Sequence, residues 1–315
     1  MALIPWRLPR PRCVLAGFTL LAAMTGAGAQ SVAITLDDGP QLETTPLMSP
    51  AQRNEALLAA LRRHGVKAAL FVTGANGADR PEGRALARAW GEAGHALGNH
   101  TMTHPDLNSA QLSLAQYQAE IDACQALIRE LPGAQPWFRF TYLREGNTAE
   151  KRDGMRAFLR ERGMRNAYVS LDTSDWRLNA LLVQVLRRDP QADLTLIRQA
   201  YLDHVWQRAQ AYRALAQRLQ GRDIAQVLLL HHNLINALWL DDVIAMLKQR
   251  GWTVVPPERA YEDPVYALQP ANPAPGQSLL LGMARSLGLG RFEGWERLVD
   301  DGDAEIAWLK ARGIE

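Results

Sequence analysis

Residues 32–40 read VAITLDDGP, an apolar and β-branched run that ends in two adjacent carboxylates and a Gly-Pro pair. The run predicts a buried strand over 32–36. Asp37 and Asp38 would follow its carboxyl end, and α/β proteins keep their functional sites at that edge of a parallel sheet. Taken alone, Asp-Asp-Gly-Pro is also a common turn sequence, so its meaning depends on what else the chain brings to the same edge.

Short strand-like runs alternate with longer helical patterns, which is typical of a parallel sheet covered by helices. The predicted strands are 32–36, 68–72, 96–98, 137–140, 168–171, 227–230 and 253–255. Predicted helices lie near 51–63, 82–93, 109–130, 150–162 and 238–250, with one long helix or a pair within 190–219. A glycine follows five of these helices, where a left-handed cap favours glycine: Gly65, Gly94, Gly163, Gly221 and Gly251.

The composition is that of an ordinary globular protein. The chain has 315 residues, of which 47% are apolar, with 35 basic against 33 acidic side chains. These figures exclude disordered, fibrous and multi-pass membrane classes, while the length leaves one α/β barrel and two smaller domains both open. Cys124 is the sole cysteine beyond residue 29, which excludes an intramolecular disulfide there. The apolar spacing around it predicts a buried, unreactive thiol.

The first 29 residues have the pattern of an export signal. Arg7, Arg10 and Arg12 precede the apolar run 13–24, and the segment closes on Ala-Gly-Ala, a small-x-small cleavage sequence. The run is shorter than the roughly 20 residues that span a bilayer, so cleavage near Ala29 is favoured over a retained anchor. The remaining chain would have a formal charge of −1 instead of +2. We therefore expect a secreted or periplasmic protein without stable membrane insertion and without nucleic-acid binding.

The sequence changes character after residue 266. A proline-rich loop over 269–276 precedes two predicted helical segments, 278–289 and 292–312. The second segment carries Trp295, Leu298 and Leu309, and is too apolar to stand free in water. We therefore expect a C-terminal extension, 266–315, docked on a domain that covers 30–265, with membrane or partner binding as the alternative.

A histidine pair follows the third predicted strand. His100 and His104 can converge on one metal, and Pro105 prevents the turn from continuing as a helix. Imidazole and carboxylate ligands suit Zn²⁺, and two histidines with one aspartate leave coordination positions open, as in catalytic sites. A pair of exposed loop histidines is the alternative, but the nearby Asp-Asp pair favours a metal site.

Three further strand ends carry polar side chains. Arg139 lies at the end of the fourth strand, Asp175 and Trp176 follow the fifth, and His231 follows the sixth. They supply a cation to hold a base, an acidic partner and a proton donor. Each is ordinary by itself, but five such segments in order at one edge of a sheet indicate a catalytic site.

The five segments resemble the ordered motifs of the polysaccharide deacetylases of carbohydrate esterase family 4. They lie at 35–40, 100–104, 139–142, 172–176 and 229–231, and the resemblance covers about residues 31–265. Leu36 replaces an aromatic residue of the first motif, and Thr141 replaces the proline of the third, which would soften the loop that presents Tyr142. With seven predicted strands, the resemblance favours one distorted (β/α)7 TIM-like barrel with a C-terminal helical extension.

The resemblance implies roles for residues at the ends of the first, third and fourth predicted strands. Asp38, His100 and His104 would ligate a divalent metal, with Zn²⁺ expected and Co²⁺ or another divalent ion as alternatives. Asp37 would be the catalytic base that takes a proton from water, oriented by Arg139.

The remaining motif residues would act on the acetyl group and the leaving amine. The backbone N–H of Tyr142 would stabilise the oxyanion, and His231 would protonate the amine while Asp175 holds it as imidazolium. Trp176 and Leu229 would wall the acetyl methyl.

His231 and His232 both compete for the acid role, but only one of two adjacent strand residues faces inward. The spacing of the family motif selects His231, and His232 would be exposed or a neighbour of the site. His204 has no motif partner.

The resemblance implies an exported, metal-dependent hydrolase that removes N-acetyl groups from poly- or oligosaccharides containing N-acetylglucosamine. Its partner would be the acetylated glycan, and its products a free amine and acetate. Two alternatives remain open: an esterase that removes O-acetyl groups from a xylan-type glycan, and a non-catalytic relative that only binds glycans.

Overall fold

Seven parallel strands form the centre of the part of the chain described by the computed structural model, which comprises residues 30–271, 277–289, 291 and 294–314. The predicted export signal, 1–29, lies outside the described residues. The strands are β1 (Ser31–Gly39), β2 (Ala69–Val72), β3 (Ala96–Asn99), β4 (Ala134–Phe138), β5 (Arg165–Asn166), β6 (Gln226–His231) and β7 (Thr253–Val254).

The strands follow one another around a distorted barrel. They pair in the order β5-β4-β3-β2-β1-β6, and β7 pairs with the start of β1. Every pair is parallel, and Asp37 lies opposite His231 in the pairing of β1 with β6. A single bridge between Leu171 and Leu228 joins the segment after β5 to β6. The α/β fold predicted from the sequence is confirmed.

The segment 168–171, predicted as a strand, is not a regular strand, and this prediction is wrong. The backbone N–H of Ala167 donates to β4 at Phe138, whereas the N–H groups of Ser170 and Leu171 donate to Val227 on β6. Because the segment crosses from one neighbour to the other, it cannot build a ladder with either of them.

Eleven helices accompany the sheet in the described residues. They are α1 (Pro50–His64), α2 (Pro81–Glu92), α3 (Leu114–Ile128), α4 (Ala149–Glu161), α5 (Asp175–Arg188), α6 (Thr195–Gln220), α7 (Leu234–Gln249), α8 (Pro257–Ala260), α9 (Leu279–Ser286), α10 (Trp295–Val299) and α11 (Asp303–Lys310). No helix among the described residues is long and apolar enough to cross a membrane.

Local sequence signals explain where several helices begin and end. Ser49 and Ser113 each form a reciprocal capping box with the glutamine three residues on, which starts α1 and α3. Gly65 and Gly221 adopt left-handed conformations after α1 and α6, and all five predicted cap glycines have positive φ. The predicted start of α3 at 109 is too early because Ser113 caps it.

Helix α5 was missed, because its first residues were interpreted only as a polar loop after the fifth strand. The segment 292–312, predicted as one helix, is divided into α10 and α11. The division falls at Asp300, whose carboxylate accepts a hydrogen bond from the N–H of Asp303 (2.8 Å) and so caps a new helix, and at Gly302, with φ of 83°.

The core lies between the sheet and the helices. Val32, Ile34 and Leu36 of β1 are fully buried, as expected for a parallel strand covered on both faces. Cys124 is buried, free and unreactive, since burial raises the pKa of its thiol to about 12. The C-terminal helices join the same core through the buried side chains of Leu298 and Leu309, so the extension is docked. The predicted domain limits stay predictions.

Candidate active site

The carboxyl ends of the strands surround a cavity of about 530 Å³. Its lining includes Asp37, Asp38, His100, His104, Tyr142, Asp172, Ser174, Trp176, Leu229, His231 and Asp301. Parallel strands place their carboxyl ends at one edge, so segments separated by up to two hundred residues meet there. Five of the six non-glycine residues with positive φ in the described chain lie near this edge: Asp38, Thr101, His104, Tyr142 and Leu143. Such strained conformations concentrate at functional sites.

Asp37 and Asp38 both face the cavity, although adjacent residues of a regular strand point to opposite sides. The pairing of β1 with β2 shifts register between Leu36 and Gly39, and Asp38 has φ of 66°. This irregularity turns the second carboxylate back towards the cavity. The two adjacent aspartates therefore both face the cavity, but their carboxylates lie in different environments.

Asp38, His100 and His104 form a set of three potential metal ligands, with donor atoms within 4.8 Å of one another. Asp38 Oδ1 lies 3.6 Å from Nε2 of His100 and 3.3 Å from Nε2 of His104. The two imidazole rings meet edge to face with centroids 5.0 Å apart. Two imidazoles and one carboxylate are a ligand set that suits a divalent ion such as Zn²⁺.

The hydrogen bonds around this set fit a metal. His100 Nδ1 lies 2.8 Å from the carbonyl oxygen of Arg139; a carbonyl only accepts, so Nδ1 carries the proton and Nε2 keeps its lone pair for a ligand. Burial lowers the pKa of His100 to about 3, which keeps the ring neutral. Asp38 Oδ1 is buried and has no hydrogen-bond partner among the described residues, so a cation would satisfy it.

Asp37 is buried beside the ligand set and is held by Arg139. Arg139 Nη1 donates to Asp37 Oδ1 at 2.6 Å and to Thr35 Oγ1 at 2.8 Å, and the guanidinium is fully buried. The other carboxylate oxygen, Oδ2, lies 3.7 Å from His100 Nε2. Burial raises the pKa of Asp37, although Arg139 opposes the shift. A carboxylate so placed has one oxygen fixed and one directed at the ligand set.

On the other side of Asp37, His231 is paired with Asp175. His231 Nδ1 donates to Asp175 Oδ1 at 2.7 Å, which leaves Nε2 as the free end of the ring. Burial disfavours the imidazolium, but the charge and hydrogen bond of Asp175 outweigh it and raise the pKa of His231 to about 10. The structure therefore holds His231 protonated at neutral pH.

Two asparagines support this pair. Asn233 Nδ2 and Asn236 Nδ2 donate to Asp175 Oδ2 at 2.9 and 2.6 Å, and the side chain of Asn233 also caps α7 by accepting from the N–H of Asn236. Sequence reasoning missed both. The signal was an asparagine directly after the sixth strand with a second one three residues later, at the start of an apolar helix.

Arg139 has a partner that the sequence analysis also missed. Its Nη2 donates to the hydroxyl of Tyr261 at 3.0 Å, and its Nε to the carbonyl of Ala167 at 3.0 Å. The guanidinium also lies 3.8 Å from the ring centroid of Phe71. No sequence signal marks Tyr261, which lies 122 residues from Arg139.

Tyr142, Trp176 and Leu229 all line the cavity, and the roles expected for them stay predictions. The ring of Tyr142 lies edge to face with His104, with centroids 4.5 Å apart. Trp176 is 44% exposed and Leu229 5% exposed. Trp176 is therefore accessible to solvent, whereas Leu229 is buried in the cavity wall.

Thr141 is held by hydrogen bonds, and the expected softening of the Tyr142 loop stays a prediction. Thr141 is fully buried. Its N–H donates to the hydroxyl of Tyr117 at 3.2 Å, and its own hydroxyl lies 2.9 Å from that oxygen and 2.5 Å from the carbonyl of Pro105. Hydrogen bonds thus fix the loop where the related motif has proline.

His232 is fully buried and not exposed. It points away from the cavity into the core, where Nε2 donates to Asn54 Oδ1 at 3.0 Å. Burial lowers its pKa to about 3, so it stays neutral. The strand alternation expected for the pair therefore holds, with His231 on the cavity side.

Part of the chain is similar to known proteins. Residues 25–158 match the family model described as polysaccharide deacetylase. The chain is 31% identical over 147 residues to a peptidoglycan-N-acetylglucosamine deacetylase of Bacillus cereus, a match that covers 46% of each protein. It is 44% identical over 85 residues to a chitooligosaccharide deacetylase of Sinorhizobium fredii, covering 27% of this chain and 34% of that one.

Among solved structures, the chain is similar to the family 4 carbohydrate esterase from Streptomyces lividans in complex with acetate. The TM-score is 0.47, the identity 24%, and the match covers 73% of this chain and 95% of that chain. The chain spans about half the length, or less, of the two curated relatives above.

The fold and the site define an α/β protein with a candidate hydrolytic centre at the carboxyl edge of a distorted parallel barrel. Over residues 25–158 the chain is similar to the polysaccharide deacetylase family.

Proposed function

We propose that this protein is a metal-dependent deacetylase that hydrolyses N-acetyl groups of N-acetylglucosamine-containing poly- or oligosaccharides, and that it acts in the periplasm or outside the cell. One observation carries the proposal: Asp37 and His231 lie opposite each other in the sheet, beside a set of three potential metal ligands. A base, an acid and a metal position in one cavity are the requirements of hydrolysis at neutral pH.

Asp38, His100 and His104 would hold the metal. When bound there, a divalent ion would lower the pKa of a water molecule and polarise the acetyl carbonyl. The ligand atoms suit Zn²⁺, and Co²⁺ or another divalent ion is an alternative.

Asp37 would take the proton from the attacking water at Oδ2, the oxygen directed at the ligand set. Arg139 fixes Oδ1, so the carboxylate cannot rotate away. Because burial raises the pKa of Asp37, it is a stronger proton acceptor than an exposed aspartate.

His231 would then protonate the departing nitrogen from Nε2. The bond from the water oxygen to the acetyl carbon would form first and place a negative charge on the carbonyl oxygen; the bond between that carbon and the protonated nitrogen would then break, so the products are acetate and a free amine. Asp175 keeps His231 charged before the step. Meanwhile, the N–H of Tyr142 would stabilise the developing oxyanion, and Trp176 and Leu229 would wall the acetyl methyl.

The substrate class rests on the relatives, which are named as deacetylases of peptidoglycan N-acetylglucosamine and of chitooligosaccharides. The export signal expected over 1–29 supports action outside the cytoplasm, where such glycans occur.

The test is acetate release by metal-loaded protein from N-acetylated chitooligosaccharides and from peptidoglycan. Asp37→Asn and His231→Gln should each lose about 10³-fold in kcat, since each removes one proton-transfer group. The matched control is Asp203→Asn, which removes an exposed carboxylate of α6 outside the cavity lining and should leave the rate unchanged.

Three results would contradict the proposal. Full activity in both variants would exclude the assigned acid and base. Release of acetate from acetylated xylan but not from chitooligosaccharides, with little dependence on His231, would indicate an O-acetyl esterase, because an alkoxide leaves more easily than an amine. Glycan binding without any turnover would indicate a non-catalytic relative.

A further inference from the structure

The C-terminal extension forms part of the cavity wall. Residues 294–314 lie outside the residues matched by the family model, yet Asp301, in the turn between α10 and α11, lines the same cavity as Asp37 and His231. Asp301 is exposed, so its carboxylate is available to a ligand.

The extension is attached to the start of α5, where Asp175 lies. His204 on α6 is buried; its Nε2 accepts a hydrogen bond from the N–H of Ser174 at 2.9 Å. Nδ1 must therefore carry the proton, and it lies 3.2 Å from a carboxylate oxygen of Glu305 on α11. Arg177 on α5 pairs with Asp303 at 3.0 Å. These contacts join α11 to Ser174 through His204 and to Arg177 directly.

The turn itself is fixed at both ends. Asp300 caps α11 through the N–H of Asp303, and Gly302, with φ of 83°, is so close to Ser174 that a Cβ on it would lie 3.6 Å from that residue's Cβ. Asp301 between them is thus held at a defined place on the wall. Its charge also acts on Asp172, another lining residue.

We propose that Asp301 is a substrate-binding residue that accepts hydrogen bonds from hydroxyl groups of the sugar, away from the reacting acetyl group. A carboxylate is an acceptor only, and hydroxyl groups are the donors that a glycan offers. The inference rests on the proposed function, because that function supplies the glycan. Glu305 and His204 are positioning residues that hold the turn.

The test compares a glycan with a small acetate ester that has no sugar, 4-nitrophenyl acetate. Asp301→Ala should raise the KM for N-acetylchitotetraose about 10- to 100-fold, the loss of a charge-assisted hydrogen bond. Its kcat for the glycan and its KM for the ester should change less than about twofold, because the catalytic groups remain. Asp301→Asn, which keeps the shape and one acceptor oxygen, should lie between the wild type and Asp301→Ala.

Glu296→Gln is the matched control, since it removes an exposed carboxylate from the same extension outside the cavity lining. An unchanged KM for the glycan in Asp301→Ala would overturn the inference, as would an equal rise for the glycan and the ester.

Calorimetric titration of N-acetylchitotetraose into metal-free protein separates this inference from the proposed function. If the metal-free wild type binds the glycan but the metal-loaded wild type releases no acetate from it, the proposed function fails, while weaker binding by Asp301→Ala still supports the inference. Equal binding by wild type and variant overturns the inference whatever the activity, and a wild type that neither binds nor cleaves any glycan overturns both.

Discussion

The two ends of the cavity are built differently. At one end, Asp38, His100 and His104 bring donor atoms together, and Asp38 Oδ1 is buried without a hydrogen-bond partner among the described residues. At the other end, Asp175 accepts four hydrogen bonds, from Nδ1 and the backbone N–H of His231 and from the amides of Asn233 and Asn236. The first group is incomplete by itself, and the second is complete.

The group around Asp38 would be completed by a bound cation, whereas the group around Asp175, which we call the preformed end, is complete without one. Burial lowers the pKa of His100 to about 3, so that ring stays neutral and does not supply the positive charge that a bound cation would offer to Asp38. The pair of His231 and Asp175 needs no cation, since its charges already balance. Variants at the two ends should therefore fail in distinguishable ways.

The largest effect is expected at the ligand set. His104→Gln should abolish metal retention and lower kcat/KM by at least about 10³-fold, because a metal ion supplies several kcal/mol of transition-state stabilisation. Metal at 100 times its Kd should stabilise the wild type by about 2.7 kcal/mol and the variant not at all. Metal analysis after dialysis and thermal unfolding with and without metal measure both.

The matched control for that variant is His64→Gln, which changes a half-buried histidine that contacts Asp241 away from the cavity. It should keep both the metal and the thermal shift. If His104→Gln retained a full metal-dependent shift, the ligand assignment would be wrong.

A smaller effect, without loss of metal, is expected at the preformed end. Asp175→Asn should lower kcat about 10²-fold and change the pH profile. His231 must be protonated to act as an acid, and its pKa is raised to about 10 by Asp175. Without that charge the pKa falls towards its ordinary value of 6.5, so activity should be lost on the alkaline side at a lower pH.

The measurement is kcat against pH from 5 to about 10.5, a range set by these two pKa values, with Asp203→Asn as the control whose alkaline limb should stay in place. If the alkaline limb of the pH profile stayed in place in Asp175→Asn, a group other than His231 would set that limb. Retained metal content in this variant is the feature that distinguishes it from His104→Gln.

The substitution Asn236→Ala should weaken the preformed end without removing a charge. Asn236→Ala deletes donors to Asp175 and to the carbonyl of His231, at 2.6 and 2.8 Å. Because hydrogen bonds to a charged group contribute about 1.5–3 kcal/mol, the free energy of unfolding should fall by about that amount, as measured by urea denaturation. Asn147→Ala, which removes one exposed amide bonded to the carbonyl of Asn108, should change it by less than about 0.5 kcal/mol.

The sequence located the candidate functional residues at the strand ends but did not reveal the residues that hold them in place. Asp37, His100 and His231 could be located because each directly follows or ends an apolar run, and the parallel topology brings such ends together. Asn236 and Tyr261 could not, because their role depends on contacts between distant segments that no local pattern records. The prediction of a strand over 168–171 failed for the same reason: its hydrogen bonds go to two different neighbours, which periodicity alone does not reveal.

The smallest effect is expected in the loop between the two ends, at Thr141. Thr141→Val keeps the shape but removes the hydroxyl bonded to Tyr117 and Pro105, and should lower the free energy of unfolding by about 1–2 kcal/mol, since buried partners lose a hydrogen bond. Thr141→Pro also removes the N–H that donates to Tyr117, so it should be less stable than Thr141→Val despite restoring the family motif. Urea denaturation and kcat of both variants measure this. If Thr141→Pro were the more stable of the two, the stiffness of proline would outweigh the hydrogen bonds, and the loop of Tyr142 would not depend on the contacts that now hold it.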